Sequence, residues 1–199
     1  MPASRRLVIA ALSLAPWAVR AQPTDPRLAV RSAGAAEAPV TVQEFYSLTC
    51  PHCAAFQKET FPQVKAKLID TGRIRYVWRD FPLDQLALTA AMVARALPPE
   101  RYEAFISALL ASQDRWAFAR GINPTEELAK LAALAGLSRA TFNSTVVDEE
   151  LKKAVLTDQD AGEKQYQVRS TPSFVMNGKL TAGAIQYADF EKAVEAAAA

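Results

Sequence analysis

Cys50 and Cys53 are the only cysteines of the chain, and between them stand Pro51 and His52, the only histidine. Two intervening residues let both sulfurs close a small ring at the start of a helix. Pro51 suits the first helical position. The N–H groups of a first turn are unpaired and the macrodipole is positive there, so a thiolate at that point is stabilised and its pKa falls. Cys50, just before Pro51, is placed to receive this help. Cys53 lies a turn inward and is expected to be more buried. Cys50 is therefore the exchanging sulfur and Cys53 the resolving one. An imidazole at His52 can add a hydrogen bond or positive charge to the thiolate. A stabilised reduced form makes the disulfide a stronger oxidant, so the dipeptide argues for donating disulfides rather than reducing them.

Other chemistries of a Cys-x-x-Cys pair find no support. Zinc wants four ligands, and the chain holds no further Cys or His. Attachment of c-type haem needs His directly after the second Cys, where Ala54 stands. An iron–sulfur cluster normally takes four cysteines. A purely structural disulfide across so short a loop would constrain almost nothing. No metal and no organic cofactor is expected.

The chain has 199 residues, half of them hydrophobic and 22% charged, which excludes a disordered, collagen-like or coiled-coil chain. The length fits one domain, or one domain with a large insertion. Residues 1–21 read as a cleaved export signal: Arg5 and Arg6, the mostly apolar stretch Leu7–Ala18, then Val19-Arg20-Ala21 as a cleavage site. That stretch is too short to span a membrane. The route of export stays open between general secretion and a twin-arginine signal. Without those residues 20 basic side chains face 21 acidic ones, a balance that lacks the footprint of a nucleic-acid binder. Export places the pair where a disulfide can persist, so a periplasmic location is expected.

The elements that must position the pair follow from pattern. Residues 22–38 form an arm or a weak edge strand. Val40–Tyr46 is a β-rich run that reads as a strand. A helix is expected from Pro51 to about Ile69, kinked at Pro62. Arg73–Phe81 alternates Ile74, Tyr76 and Trp78 against arginines, giving a second strand stopped by Pro82. A helical region follows. Tyr102, Phe105, Ile106, Leu109 and Leu110 share one helical face. Asn123-Pro124-Thr125-Glu126 is a helix start, with Leu128, Leu131 and Leu134 as the apolar face and Gly136 as the stop. A further helix is expected over about Asp148–Gln165, with Leu151, Ala154 and Val155 inward. Asn177-Gly178 then joins Ser173–Met176 to Lys179–Thr181 as a tight hairpin, and Tyr187–Ala198 is a closing helix.

On these residues a resemblance rests. Glu44-Phe45-Tyr46-Ser47-Leu48-Thr49-Cys50-Pro51-His52-Cys53, followed by Phe56, resembles the active-site strand and helix of the DsbA family of exported thiol–disulfide oxidoreductases. Ser170-Thr171-Pro172-Ser173-Phe174 and Asn177-Gly178-Lys179 resemble the family's cis-proline loop and hairpin. The resemblance implies an α/β chain, a thioredoxin fold with an inserted all-helical domain. Its first half is residues 39–82, the insertion 83–167 and the second half 168–199. It implies a cis Thr171–Pro172 bond facing the cysteines, with the Thr171 backbone free to pair with an extended substrate peptide. It also implies that Glu44 lies beneath the cysteines and relays protons to the buried thiol, as a desolvated carboxyl can. Gln57 stands where the family suggests another acid. Thr171 differs from the Val of the best-known strong oxidases and is similar to the Thr of related isomerases.

The reading is an exported disulfide oxidase that donates Cys50–Cys53 to reduced, partly folded exported proteins through a mixed disulfide on Cys50. The family implies a membrane quinone-linked reoxidising partner resembling DsbB. The arm is too short for an isomerase's oligomerisation stalk, so a monomer is the expected state. Two alternatives remain: a reductase or isomerase of the same compartment, and a peptide-binding chaperone with a non-catalytic disulfide.

Overall fold

A computed structural model describes residues 25–198. The expected export signal and the first residues of the arm lie outside the described residues. Five strands form one sheet: β1 (Arg31–Ala33), β2 (Val40–Tyr46), β3 (Ile74–Asp80), β4 (Ser173–Met176) and β5 (Lys179–Ala182), in the order β1-β3-β2-β4-β5. β2 and β3 are parallel, with Val40 opposite Ile74 and Tyr46 opposite Asp80; the remaining pairs are antiparallel. The arm thus supplies a true edge strand. A parallel pair needs a crossover, and the helix carrying the cysteines supplies it.

Alternation decides the two faces of the sheet. Val40, Val42, Glu44 and Tyr46 of β2, and Ile74, Tyr76, Trp78 and Asp80 of β3, are all buried. On the opposite face, Thr41, Gln43, Arg75 and Arg79 are only half-buried. The helices follow as α1 (Pro51–Glu59), α2 (Phe61–Val64), α3 (Gln85–Ala96), α4 (Pro99–Ala111), α5 (Gln113–Trp116), α6 (Pro124–Leu134), α7 (Arg139–Thr145), α8 (Glu149–Tyr166) and α9 (Tyr187–Ala198). α1 and α9 cover the first face. There Phe56 of α1, Phe174 of β4 and Phe190 of α9 meet at ring separations of 4.6–6.0 Å. α8 covers the other face, where Tyr166 and Gly162 press on Phe45.

The expected helix Pro51–Ile69 is three pieces. It breaks at Thr60, and Lys65–Ile69 is a π-helical segment closed by Asp70 N–H to the Lys65 carbonyl at 2.9 Å. Pro62 has no N–H for the Lys58 carbonyl and its ring crowds that turn, so the chain bends just before it. Leu134 is a second correction. It is 85% exposed, whereas Leu128, Ala129 and Ala132 are buried. Steps of three residues drift backward around a 3.6-residue helix, so the third leucine has left the face that the first defines. The Asn123 cap is as expected, accepting from the N–H groups of Thr125 and Glu126. So is the hairpin, with positive φ at both Asn177 and Gly178.

The helices between β3 and β4 are anchored to the sheet by a buried polar cluster. Asp80, at the end of β3, accepts from Arg95 of α3, Tyr46 of β2 and Tyr102 of α4. Tyr46 and Tyr102 are themselves 2.8 Å apart, hydroxyl to hydroxyl. A buried charge needs such partners, and this one fixes the insertion's position over the ends of β2 and β3.

Candidate functional site

β2 ends at Tyr46, and the loop Ser47–Thr49 carries the chain to Cys50, which is the N-cap of α1. Pro51 begins the helix, where a missing N–H costs nothing. Both cysteines are thiols and both are buried. Cys53 is wholly enclosed, while Cys50 keeps a sliver of exposed surface. The Cys50 thiol donates to the Thr171 carbonyl at 3.3 Å. The Thr171–Pro172 peptide bond is cis, and this loop meets Cys50 through that bond.

The two thiols are treated oppositely. A hydrogen bond from the Cys53 thiol holds the Cys50 thiolate down at about 5, against partial burial. The Thr171 hydroxyl and the backbone N–H groups of Cys53 and His52 add to the lowering. Those N–H groups are the unpaired donors of the first turn of α1. Burial pushes the Cys53 thiol well up, and its bond to Cys50 and the nearby Glu44 charge push it further. The Thr171 hydroxyl has no partner while Cys50 is a thiol, which leaves it available once the sulfur is an anion.

The His52 side chain is exposed, and its backbone N–H is one of the first-turn donors that lower the Cys50 thiolate.

Glu44 lies buried on the core face of β2, opposite Phe174 on β4 and Trp78 on β3. Burial raises its carboxyl to about 7, opposed by a 2.9 Å hydrogen bond from Tyr76 and assisted by the Cys50 charge. It is thus a titratable group within electrostatic reach of both cysteines. Gln57 is elsewhere occupied, bonding Ser107 of α4 at 2.9 Å.

Pattern alone did not single out three further residues. Tyr76 was visible only as an inward strand position. Asp84 caps α3 and accepts from Thr49 at 2.7 Å. Gln113 of α5 donates to the carbonyls of Leu48 and Cys50. No local pattern marks a glutamine 65 and 63 residues from its partners.

Among the described residues no His, Cys, Asp and Glu gather in a group able to hold a metal ion. A cavity of about 880 Å³ lies between α8 and the β1–β3 edge, lined by residues such as Leu28, Val30, Arg75 and Lys153 and by neither cysteine. No described helix is long and apolar enough to cross a membrane.

A family profile described as thioredoxin matches residues 29–196. Among solved structures, α-DsbA1 of Wolbachia pipientis superposes with a TM-score of 0.77 at 29% identity, covering 85% of this chain and 90% of that one. A structure named protein-disulfide isomerase, from Novosphingobium aromaticivorans, gives 0.73 at 27%, covering 85% and 97%. A Rickettsia conorii protein named for protein-disulfide oxidoreductase activity is 32% identical over 71% of this chain. The chain spans about half the length of that relative.

Proposed function

The chain belongs to the thioredoxin family, and its similarities run to DsbA-like members; on that premise we propose that it is an exported thiol:disulfide oxidoreductase working as a disulfide donor. The observation that carries this direction is the opposite treatment of Cys50 and Cys53. A thiolate stabilised only in the dithiol state favours reduction of the pair, so the disulfide gives itself up readily.

A substrate thiolate attacks the Cys50 sulfur and the Cys50–Cys53 bond breaks. Cys53 leaves with the electron pair and, with its raised pKa, takes a proton; Glu44, near neutrality, is the nearby carboxyl that supplies it. A second substrate thiolate attacks the substrate sulfur of the mixed disulfide. Cys50 leaves as the stabilised thiolate. The substrate has lost two electrons, which the protein holds as the Cys50 thiolate and the Cys53 thiol; of the two protons the substrate thiols released to solvent, one returns to Glu44 to replace the proton passed to Cys53. Thr171 and Pro172 present the backbone against which an extended substrate peptide lies. Reoxidation falls to a quinone-linked membrane partner of the DsbB kind, and the compartment is the periplasm.

A stoichiometric amount of the oxidised protein, mixed with a reduced and denatured cysteine-containing protein, tests this. Donation predicts disulfides in the substrate with loss of the Cys50–Cys53 bond. Cys50→Ser should abolish it, and Cys53→Ser should trap a mixed disulfide on Cys50. Full activity in Cys50→Ser would instead mean a chaperone. Activity only when a thiol reductant is supplied would mean a reductase or isomerase, the reading that Thr171 before Pro172 favours.

A further inference from the structure

Gln113 is buried, yet the chemistry described so far makes no use of it. Its amide nitrogen donates to the Leu48 carbonyl at 2.9 Å and to the Cys50 carbonyl at 3.1 Å. The Cys50 carbonyl already accepts the first helical bond of α1, from Ala54 N–H at 3.2 Å. The bond from Gln113 is therefore not needed to satisfy that oxygen. It instead ties the N-cap peptide of the redox helix to the insertion.

The mount of Gln113 is rigid. α5 is a single turn opened by Ser112, and the Gln113 carbonyl accepts from the N–H groups of both Ala117 and Phe118. Trp116 on the same turn is buried and donates through its indole N–H to the Leu109 carbonyl at 2.8 Å. One residue earlier in the redox loop, the Thr49 hydroxyl donates to Asp84 at 2.7 Å. The loop Leu48–Cys50 is thus gripped at three successive residues by side chains of the insertion, and Cys50 is gripped by Gln113 alone among them.

We propose that Gln113 is a positioning residue of the redox site: by holding the Leu48 and Cys50 carbonyls it aims the Cys50 sulfur at Thr171 and the first-turn N–H groups, and so couples the helical insertion to the redox state of the pair. This rests on reading Cys50–Cys53 as the exchanging pair. Without the grip the Cys50 carbonyl is held by the Ala54 N–H alone, and the N-cap peptide can tilt with the first turn of α1. The thiolate then loses part of its donor set, the dithiol state is less favoured, and the protein becomes a weaker oxidant.

Gln113→Met keeps the side chain's length and removes both donors. Two quantities are read: the pH midpoint of Cys50 ionisation, from thiolate absorbance in the reduced protein, and the equilibrium constant with glutathione. The expected results are a raised midpoint and an equilibrium shifted roughly three- to tenfold toward the disulfide, the size of one or two lost hydrogen bonds. Should Gln113→Met lower the melting temperature of both redox forms equally, with midpoint and equilibrium unmoved, the role is merely structural and the proposal is overturned. A wild-type measurement guards against a variant that does not fold. The Gln113 side-chain amide resonance should move with Cys50 ionisation in the reduced protein and stay fixed over that pH range in the oxidised one; an amide that ignores the titration also overturns it. A wild-type Cys50 midpoint near the ordinary thiol value would instead sink the reading of the site itself.

Discussion

Tyr76 on β3 donates a 2.9 Å hydrogen bond to the buried carboxyl of Glu44 on β2, on the sheet face that α1 covers. The bond is a brake. Burial and the Cys50 charge drive the Glu44 pKa up, and Tyr76 holds it at about 7. A carboxyl left in its ordinary range would always be ionised, and one driven much higher would never release its proton.

Glu44 should therefore cost stability above neutrality. Its folded pKa is raised above the unfolded value of 4.5, so the folded state binds more protons between roughly pH 4.5 and 7. Stability from this group is present below pH 4.5 and lost as the pH climbs through 7. Glu44→Gln should stabilise the reduced protein by on the order of 3 kcal/mol at pH 8, with the gain shrinking toward zero near pH 4. Urea denaturation at several pH values measures it, and a gain that does not vary with pH would contradict the assignment.

Tyr76→Phe should release the brake. The Glu44 midpoint is expected to move above about 7, read by carbon NMR of the carboxyl. A midpoint that stays put would mean the hydroxyl does not bond the ionised form.

Cys50 gives the opposite sign. Its folded pKa is depressed to about 5, so its contribution to the reduced protein is lost as pH falls through 5 and grows toward the unfolded thiol's value near 9. Cys53, shifted upward, opposes this only at higher pH. The melting temperature of the reduced form relative to the oxidised form should rise between pH 5 and 8, and Cys50→Ser should flatten the curve. A flat curve in the unaltered protein would remove the basis for a stabilised thiolate.

Arg95→Met leaves Asp80 buried with only hydroxyl partners. A destabilisation of about 3–5 kcal/mol is expected, with partial recovery when Asp80→Asn is added. Denaturant titration of both variants decides it, and a loss under 1 kcal/mol would show that the pair does not anchor the insertion.

Gly162→Ala tests the packing of α8 on the sheet. Alanine in a helix interior ordinarily gains up to about 1 kcal/mol over glycine. Here a Cβ would lie 2.2 Å from the Phe45 ring, so a net loss of about 1–3 kcal/mol is expected. A stabilised variant would mean that Phe45 yields freely.

What the sequence disclosed and what it withheld divide along contact range. The Cys50–Cys53 spacing, the Asn123 cap and the Asn177-Gly178 turn are local patterns with local causes, and each was legible. β3 was legible because Ile74, Tyr76 and Trp78 alternate with arginines and Val77. The partners that tune the site are remote in the chain: Tyr76 is 32 residues from Glu44, and Gln113 is 63 from Cys50. No periodicity encodes such pairs. Leu134 misleads because three evenly spaced leucines look like a face without being one.

The central claim is that the dithiol state of Cys50–Cys53 is the favoured one. The equilibrium reduction potential of the pair in glutathione buffers, read by thiol alkylation, tests it most directly. The account predicts a potential well above the cytosolic glutathione poise of about −220 to −260 mV. A value near the roughly −270 mV of a thioredoxin-type reductant would contradict it.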